Sequence, residues 1–154
     1  MAVGVGDAVP DFDLETGGGG RLRSSDLLGR RALLYFYPKD DTSGCTLEAR
    51  EFTARLGEFA ERGVAVYGVS PDPPGSHDRF AAKCGIGFPL ISDPDTALCQ
   101  AMGVWVQKSM YGRTYMGVER STFLVGRDGR VEREWRRVKP AGHAAEVLAA
   151  LPEA

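Results

Sequence analysis

The spacing of apolar residues divides the chain into short strand-like runs and longer segments with a helical period. Short apolar or aromatic runs bounded by proline, glycine or charged residues predict buried strands. These runs cover residues 32–37, 64–70, 88–91, 121–125 and 131–138. Apolar residues three or four positions apart predict amphipathic helices. Such segments follow Cys45, Ser76 and Asp93, and a last one contains Ala144, Val147, Leu148 and Leu151.

Turn and cap residues join these segments in a recognisable order. Residues 12–14 and 21–23 flank the glycines at 17–20, which predicts an N-terminal β-hairpin. Ser76 and Asp93 are expected to cap helices, with Pro94 at the first helical position. Strands alternate with helices, and a hairpin and a helix follow. This order predicts an α/β fold with a central mixed β-sheet flanked by helices, as one domain over residues 1–154.

Composition and charge exclude several classes of function. The 154 residues carry 19 basic and 21 acidic side chains, so the net charge of −2 gives no reason to expect nucleic acid or an anionic membrane as a partner. The N-terminus lacks the basic and apolar regions of a signal peptide, and no run approaches the length of a membrane span. Three cysteines without paired spacing are typical of a reducing compartment. A cytoplasmic protein is therefore expected.

One cysteine stands where a predicted strand ends and a predicted helix begins. Pro38 stops the strand, and Cys45 falls in the first turn of the helix, three residues after the hydroxyl of Thr42. Backbone N–H groups of a first helical turn have no partner within the helix, and the dipole is positive at that end. Both favour the nucleophilic thiolate over the thiol. The pattern predicts an activated cysteine, with Thr42 as a nearby donor or a helix cap.

The spacing Pro38-x-x-x-Thr42-x-x-Cys45 resembles the peroxidatic motif of the peroxiredoxins. Several segments are similar to the bacterioferritin comigratory protein, or peroxiredoxin Q, subfamily: residues 35–42, 44–49, 92–95, 103–112 and 117–124. The resemblance runs collinearly from Gly6 to Leu151. It implies a thioredoxin-like sandwich, which the order of the predicted elements supports.

The resemblance also implies a role for each site residue. Cys45 would attack the peroxide and become a sulfenic acid. The family's hydrogen-bond donors would be Thr42, the amides around Gly44 and Cys45, and Arg120, whose charge persists at every working pH. Glu48 follows Cys45 by one helical turn and would hold Arg120 in place. The electrons pass through sulfur, so no metal, haem, flavin or other cofactor is implied.

The position of the second reactive cysteine departs from many members of the family. They carry a resolving cysteine five residues after the first, where this chain has Arg50. Others carry it near the position of Ala81, and Cys84 lies one turn further on the same helix face. Cys84 is therefore the first choice, although its apolar stripe with Phe80 is also typical of a core residue. Cys99 is expected to be structural. An external thiol remains the alternative to Cys84.

These residues predict a thiol peroxidase for hydrogen peroxide and organic hydroperoxides. By resemblance, thioredoxin or a related dithiol regenerates it. A thiol–disulfide oxidoreductase would need Cys-x-x-Cys, and Glu48 occupies the second of those positions. A non-catalytic redox sensor oxidised at Cys45 stays open. A monomer is expected, because no apolar surface pattern indicates an interface.

Three further features have predictions of their own. His77 and His143 lack the paired spacing of metal ligands, so no metal site is predicted. His77 is expected on the surface, in a first helical turn. The stretch 105–117 would by resemblance belong to the surroundings of the active site, with a packed loop as the alternative.

Overall fold

The computed structural model describes residues 3–152. Within that range the chain forms nine β-strands and five α-helices. The strands are β1 (Asp13–Glu15), β2 (Arg21–Arg23), β3 (Arg31–Phe36), β4 (Val64–Ser70), β5 (Leu90–Ser92), β6 (Trp105–Met110), β7 (Arg113–Val118), β8 (Ser121–Val125) and β9 (Val131–Trp135). The helices are α1 (Ser43–Ala54), α2 (Leu56–Glu61), α3 (Pro74–Cys84), α4 (Ala97–Ala101) and α5 (His143–Ala150).

Five strands form a central mixed sheet in the order β5-β4-β3-β8-β9. Strands β3, β4 and β5 run parallel, whereas β8 pairs antiparallel with β3 and with β9. The central strand β3 is apolar on both faces, and residues 32–36 of it are buried, as expected for a strand covered on two sides. The mixed sheet predicted from the order of elements is confirmed, and so is the N-terminal hairpin, formed by β1 and β2.

The two faces of the sheet build separate apolar clusters. Alternate residues of β3 point to opposite faces. Leu33, Tyr35 and Tyr37 pack under α1, α2, α3 and α5. Ala32, Leu34 and Phe36 pack on the other face with α4 and with residues at the base of the β6–β7 hairpin. Because Cys45 belongs to the first cluster, the candidate site lies on the face that carries α1, α3 and α5.

The helix after Cys45 is shorter than its apolar pattern indicates. The backbone leaves helical angles at Arg55 (φ −106°, ψ 9°), which separates α1 from α2. Phe52 and Phe59 are both fully buried on either side of this break, with ring centroids 5.7 Å apart. The break therefore keeps both aromatic rings in one cluster.

Two predicted helix starts were wrong. Helix α3 begins at Pro74, because proline is well suited to the first helical position, and Ser76 lies inside its first turn. Helix α4 begins only at Ala97, so Pro94 lies outside it. The carboxylate of Asp93 nevertheless accepts hydrogen bonds from the amides of Leu98 (3.2 Å) and Cys99 (2.8 Å). It caps α4 through space from a position four residues before the helix.

The segment between α4 and β8 is a two-stranded antiparallel hairpin, β6–β7, outside the central sheet. Its far end is exposed, and Tyr111 at the turn is 96% accessible. Strand β9 ends at Trp135, three residues before the predicted end. Among the residues that the structure describes, no helix is long and apolar enough to cross a membrane.

Candidate active site

The connection between β3 and α1 positions Cys45. Thr42 has extended angles and directly precedes the helix, and the first helical hydrogen bond runs from the amide of Thr46 to the carbonyl of Thr42. Ser43, Gly44 and Cys45 therefore form the first turn, and their amides have no acceptor within the helix. The Cys45 side chain is buried, with 1% of its surface exposed. The sulfur is thus buried at the N-terminus of α1, near first-turn amides that have no acceptor within the helix.

Arg120 joins the sulfur to a buried carboxylate. Its Nη2 lies 3.3 Å from Cys45 Sγ, and its Nη1 donates to Glu48 Oε1 at 2.7 Å. A side chain at Gly44 would stand 3.3 Å from Nη2 and 3.1 Å from a ring carbon of Pro140. Glycine at position 44 therefore leaves the room that the guanidinium uses to reach the sulfur. The arginine comes from the connection between β7 and β8, more than 70 residues along the chain from the groups that it touches.

The electrostatics of this triplet centre on Glu48. Its side chain is fully buried, and Oε2 has no hydrogen-bond partner among the described residues. Burial raises the pKa of Glu48 to about 7, although the charge and hydrogen bond of Arg120 oppose the shift. Burial alone would lower the pKa of Arg120, but the charges of Glu48 and Cys45 outweigh it and raise that pKa. Arg120 is thus a permanent cation shared by two groups that can each be negative.

Replacement of Glu48 by glutamine is expected to change how stability depends on pH. The folded pKa of about 7 lies above the ordinary value of 4.5. Between these values the folded chain holds the proton more tightly than the unfolded chain, so the free energy of unfolding falls as pH rises. The loss is on the order of 3 kcal/mol by pH 7. Denaturant titrations of the reduced protein between pH 4 and 8 should show this slope flattened in Glu48→Gln. The exposed Glu61→Gln serves as the matched control, and an unaltered slope in Glu48→Gln would contradict the assignment.

Thr42 hydrogen-bonds differently from the expectation, whereas Pro38 lies where the sequence places it, at the end of the strand. The Thr42 hydroxyl donates to the carbonyl of Lys39 at 3.0 Å, and it makes no capping bond to the helix. To donate to the sulfur or to a peroxide it must first release that carbonyl. Pro38 is half-buried and follows β3 by two residues, so it ends the pairing of the strand.

The β6–β7 hairpin brings a second cation toward the sulfur. Lys108 pairs with Tyr115, and its aliphatic stem lies over Gly117, two residues nearer to the base of the hairpin. The side chain therefore leans toward Arg120. Burial, and after it the charge of Arg120, lowers the pKa of Lys108, while Cys45 acts in the opposite direction. The hairpin thus lies beside the site, and the alternative of a packed loop is wrong.

The two remaining cysteines differ in environment. Cys84 is the last residue of α3, is partly buried and packs against the apolar cluster that contains Cys45. Cys99 is fully buried in the cluster on the opposite face of the sheet. Burial, with a further contribution from Asp93, raises the pKa of the Cys99 thiol well above its ordinary value. A thiolate at Cys99 is therefore strongly disfavoured, which leaves Cys84 as the internal candidate for resolution.

The prediction that His77 lies on the surface was wrong. Its side chain is fully buried, with Nδ1 2.7 Å from Asp40 Oδ2. The signal was present in the sequence, because His77 shares one helix face with Phe80, Ala81 and Cys84 at spacings of three, four and seven residues. His143 is also buried, and its ring lies between the hydroxyl of Thr122 and the carboxylate of Glu146.

One group of side chains is compact enough to be tested as a metal site. Asp40, Asp72 and His77 each place a ligand atom within 4.8 Å of the others. However, Asp72 Oδ2 already accepts from the amide of Asp40 and the hydroxyl of Ser70, and Asp40 already pairs with His77. A cation would have to displace these bonds. The arrangement fits a hydrogen-bonded network better than a metal centre.

Comparison with known proteins places this geometry in a family. The AhpC/TSA family model matches residues 5–134. Peroxiredoxin Bcp from Xanthomonas campestris is 50% identical over 141 residues, which cover 92% of this chain and 88% of the relative. A mutant of peroxiredoxin Q from Xylella fastidiosa superimposes with a TM-score of 0.93 at 42% identity, covering 98% of this chain and 96% of that one.

A third relative carries information on activity. The bacterioferritin comigratory protein of Xanthomonas campestris has a TM-score of 0.89 at 47% identity, with 97% of this chain and 95% of that chain covered. Its trapped intermediate and ligand complex structures give insight into its alkyl peroxide reduction activity. These relatives and the family model span most of the chain, and the thioredoxin-like α/β architecture is confirmed. The chain belongs to the AhpC/TSA family and is a peroxiredoxin of the Bcp, or peroxiredoxin Q, type.

Proposed function

We propose that this peroxiredoxin reduces hydrogen peroxide and alkyl hydroperoxides at Cys45. The observation that carries the proposal is the contact of Arg120 with Cys45 Sγ at 3.3 Å while the buried Glu48 holds the same guanidinium. One planar cation is thereby oriented toward both the sulfur and any oxygen that approaches it. The alkyl peroxide activity of the Xanthomonas relative supports the same substrate class.

The chemistry assigns a task to each group. The Cys45 thiolate attacks one peroxide oxygen, the O–O bond breaks, and sulfur is oxidised to sulfenic acid. The departing oxygen carries the electron pair of that bond and takes up a proton to leave as water or an alcohol. Negative charge thus moves from sulfur to oxygen, and Arg120 with the amides around Gly44 and Cys45 provides fixed positive charge along that line.

Thr42, Pro38 and Glu48 complete this assignment. The Thr42 hydroxyl lies at the helix start, where its oxygen can accept a hydrogen bond from the O–H of a bound peroxide while it donates to the carbonyl of Lys39. Pro38 fixes the direction in which the chain leaves β3. Glu48 acts through Arg120, since its own side chain is sealed from solvent.

The sulfenic acid is then resolved by Cys84. The Cys84 thiol attacks the oxidised sulfur, the sulfenic oxygen leaves as water, and a Cys45–Cys84 disulfide results. Both residues lie in helices against one apolar cluster, so their α-carbons reach bonding distance only when the helix ends unwind. Thioredoxin or a related dithiol, which the predicted cytoplasmic location would supply, reduces the disulfide. Every group in the two steps before that reduction comes from one chain, so a monomer suffices.

Mass spectrometry after one equivalent of peroxide tests this cycle. The reduced wild-type protein should form a Cys45–Cys84 disulfide and turn over with thioredoxin on hydrogen peroxide and tert-butyl hydroperoxide. Cys84→Ser should accumulate trappable sulfenic acid at Cys45 and lose thioredoxin-coupled turnover, while its first reduction step stays near the wild-type rate. Cys99→Ser should still form the disulfide. A trapped sulfenic acid in the wild type, without disulfide, would assign resolution to an external thiol.

A further inference from the structure

A buried aspartate of the catalytic loop (residues 38–42) pairs with a fully buried histidine of α3, and peroxide chemistry uses neither side chain. Asp40 accepts three hydrogen bonds on its carboxylate: from the Tyr37 hydroxyl at 2.6 Å, the Ser76 hydroxyl at 2.8 Å and His77 Nδ1 at 2.7 Å. On its other side, His77 Nε2 lies 3.0 Å from the carbonyl oxygen of Ile91. These contacts tie the loop, α3 and β5 together at one point.

The hydrogen-bond partners engage both side chains of the pair on every side. A carbonyl oxygen only accepts, so His77 Nε2 carries a hydrogen. Burial acts to raise the pKa of Asp40, but the hydrogen bonds from His77 and Tyr37 outweigh burial and lower it. His77 Nδ1 faces Asp40 Oδ2, so each ring nitrogen of His77 and each carboxylate oxygen of Asp40 has a hydrogen-bond partner.

The pair connects the two parts of the molecule that carry the cysteines. Asp40 lies five residues before Cys45, and His77 lies in the same helix as Cys84. The Asp40 amide donates to Asp72 Oδ2 at 2.8 Å, which secures the loop a second time. A separate exposed pair joins Asp41 to Lys83 at 2.9 Å. Exposed pairs contribute little, so the buried pair dominates the link between loop and helix.

We propose that Asp40 and His77 form a positioning pair that locks the catalytic loop to α3, so that it favours peroxide reduction and delays disulfide formation. While the pair is intact, Thr42 and the first turn of α1 keep the arrangement that faces the peroxide. For Cys45 to reach Cys84, the loop and α3 must separate, and this requires the buried pair to open. The second half of this inference rests on the proposed role of Cys84; the first half does not.

The test separates the two chemical steps in each variant by rapid-quench mass spectrometry, which distinguishes sulfenic acid from disulfide. In Asp40→Asn and His77→Asn, peroxide reduction should slow about tenfold, because small displacements of catalytic groups are costly. Disulfide formation should accelerate at least about threefold, because the unwound state is reached more readily. Since the two residues act as one unit, the double variant should be no worse than either single one. Lys83→Met is the matched control and should leave both rates within about twofold.

Two further measurements test the positioning role of the pair if one of these variants folds poorly. Ser76→Ala removes one of the three bonds to Asp40 and should shift both rates in the same directions by a smaller factor. In the unaltered protein, hydrogen exchange should show the amides of Asp40 and His77 opening together. Both rates falling together, unchanged rates in folded variants, or independent opening of the two amides would overturn the proposal. If the wild type forms no Cys45–Cys84 disulfide, the resolution scheme fails, and the positioning role is judged on peroxide reduction and hydrogen exchange.

Discussion

Replacing Cys45 with serine is expected to lower peroxide turnover at least about a thousandfold, to the background of the assay. A serine hydroxyl stays un-ionised at neutral pH, so it presents Arg120 with no anion and the peroxide with a poor nucleophile. The side chains have similar size, so the buried contacts of the first turn of α1 should persist. Stopped-flow consumption of hydrogen peroxide by the reduced protein, with dithiothreitol as reductant, gives the measurement.

The cysteines outside the first turn of α1 provide the controls for that experiment. Cys84→Ser should keep a first turnover near the wild-type rate, because Cys84 acts only after the sulfenic acid has formed. Circular dichroism of Cys45→Ser should match that of the wild type. Peroxide consumption by a folded Cys45→Ser protein at more than a few per cent of the wild-type rate would remove Cys45 from the proposed mechanism.

Replacing Arg120 with methionine is expected to slow sulfenic acid formation by a factor of about 10² to 10³, the usual effect of removing a fixed donor from a site of developing charge. The attacking sulfur and the departing oxygen lose the guanidinium that faces them. The Glu48 side chain also loses the one hydrogen-bond partner that it has among the described residues, and it is left buried. Because removing one member of a buried ion pair is strongly destabilising, a loss of activity in this variant alone would not separate catalysis from folding.

Two companion variants separate these effects. Arg120→Met with Glu48→Gln leaves no unpaired carboxylate, so it should recover stability while peroxide reduction stays slow. Arg120→Lys keeps a charge but cannot contact Cys45 and Glu48 with two arms of one planar group, so it should recover only part of the rate. A wild-type rate of sulfenic acid formation in folded Arg120→Met would show that the arginine has only a structural role.

The strands were largely predictable, because each buried strand is a short apolar run that can be recognised from its own residues. The run at 32–37 indicated a buried strand, and residues 32–36 pair on both edges in β3. The errors arose where tertiary contacts outweigh local preference. Asp93 caps α4 across a gap of three residues, and helix propensity contains no information on the break at Arg55. Pro74 shifted the start of α3 because its fixed φ suits the first helical position.

The residues of the candidate site were also predictable only in part from local sequence. Cys45 could be recognised locally, since a strand end, a proline and a helix start are consecutive in the sequence. Arg120 could be assigned only by resemblance, because a single arginine near a strand has no local feature that indicates a partner 75 residues away. His77 was assigned to the surface because a polar residue in a helix is usually solvated. Its partner Asp40 lies 37 residues earlier, and only the folded chain brings the two together.

Arg120 is fixed to the sheet, whereas the sulfur that it contacts belongs to a helix. The Arg120 carbonyl accepts from the amide of Val138 at 2.9 Å, and the neighbouring Glu119 amide donates to Val104 at 2.7 Å. In the proposed cycle the guanidinium would therefore stay behind when α1 unwinds, and the sulfur would depart without it. A second peroxide would attack the sulfenic acid efficiently only during the interval before that departure. The lifetime of the folded first turn would then set how often an oxidative burst damages the enzyme irreversibly by over-oxidation to sulfinic acid.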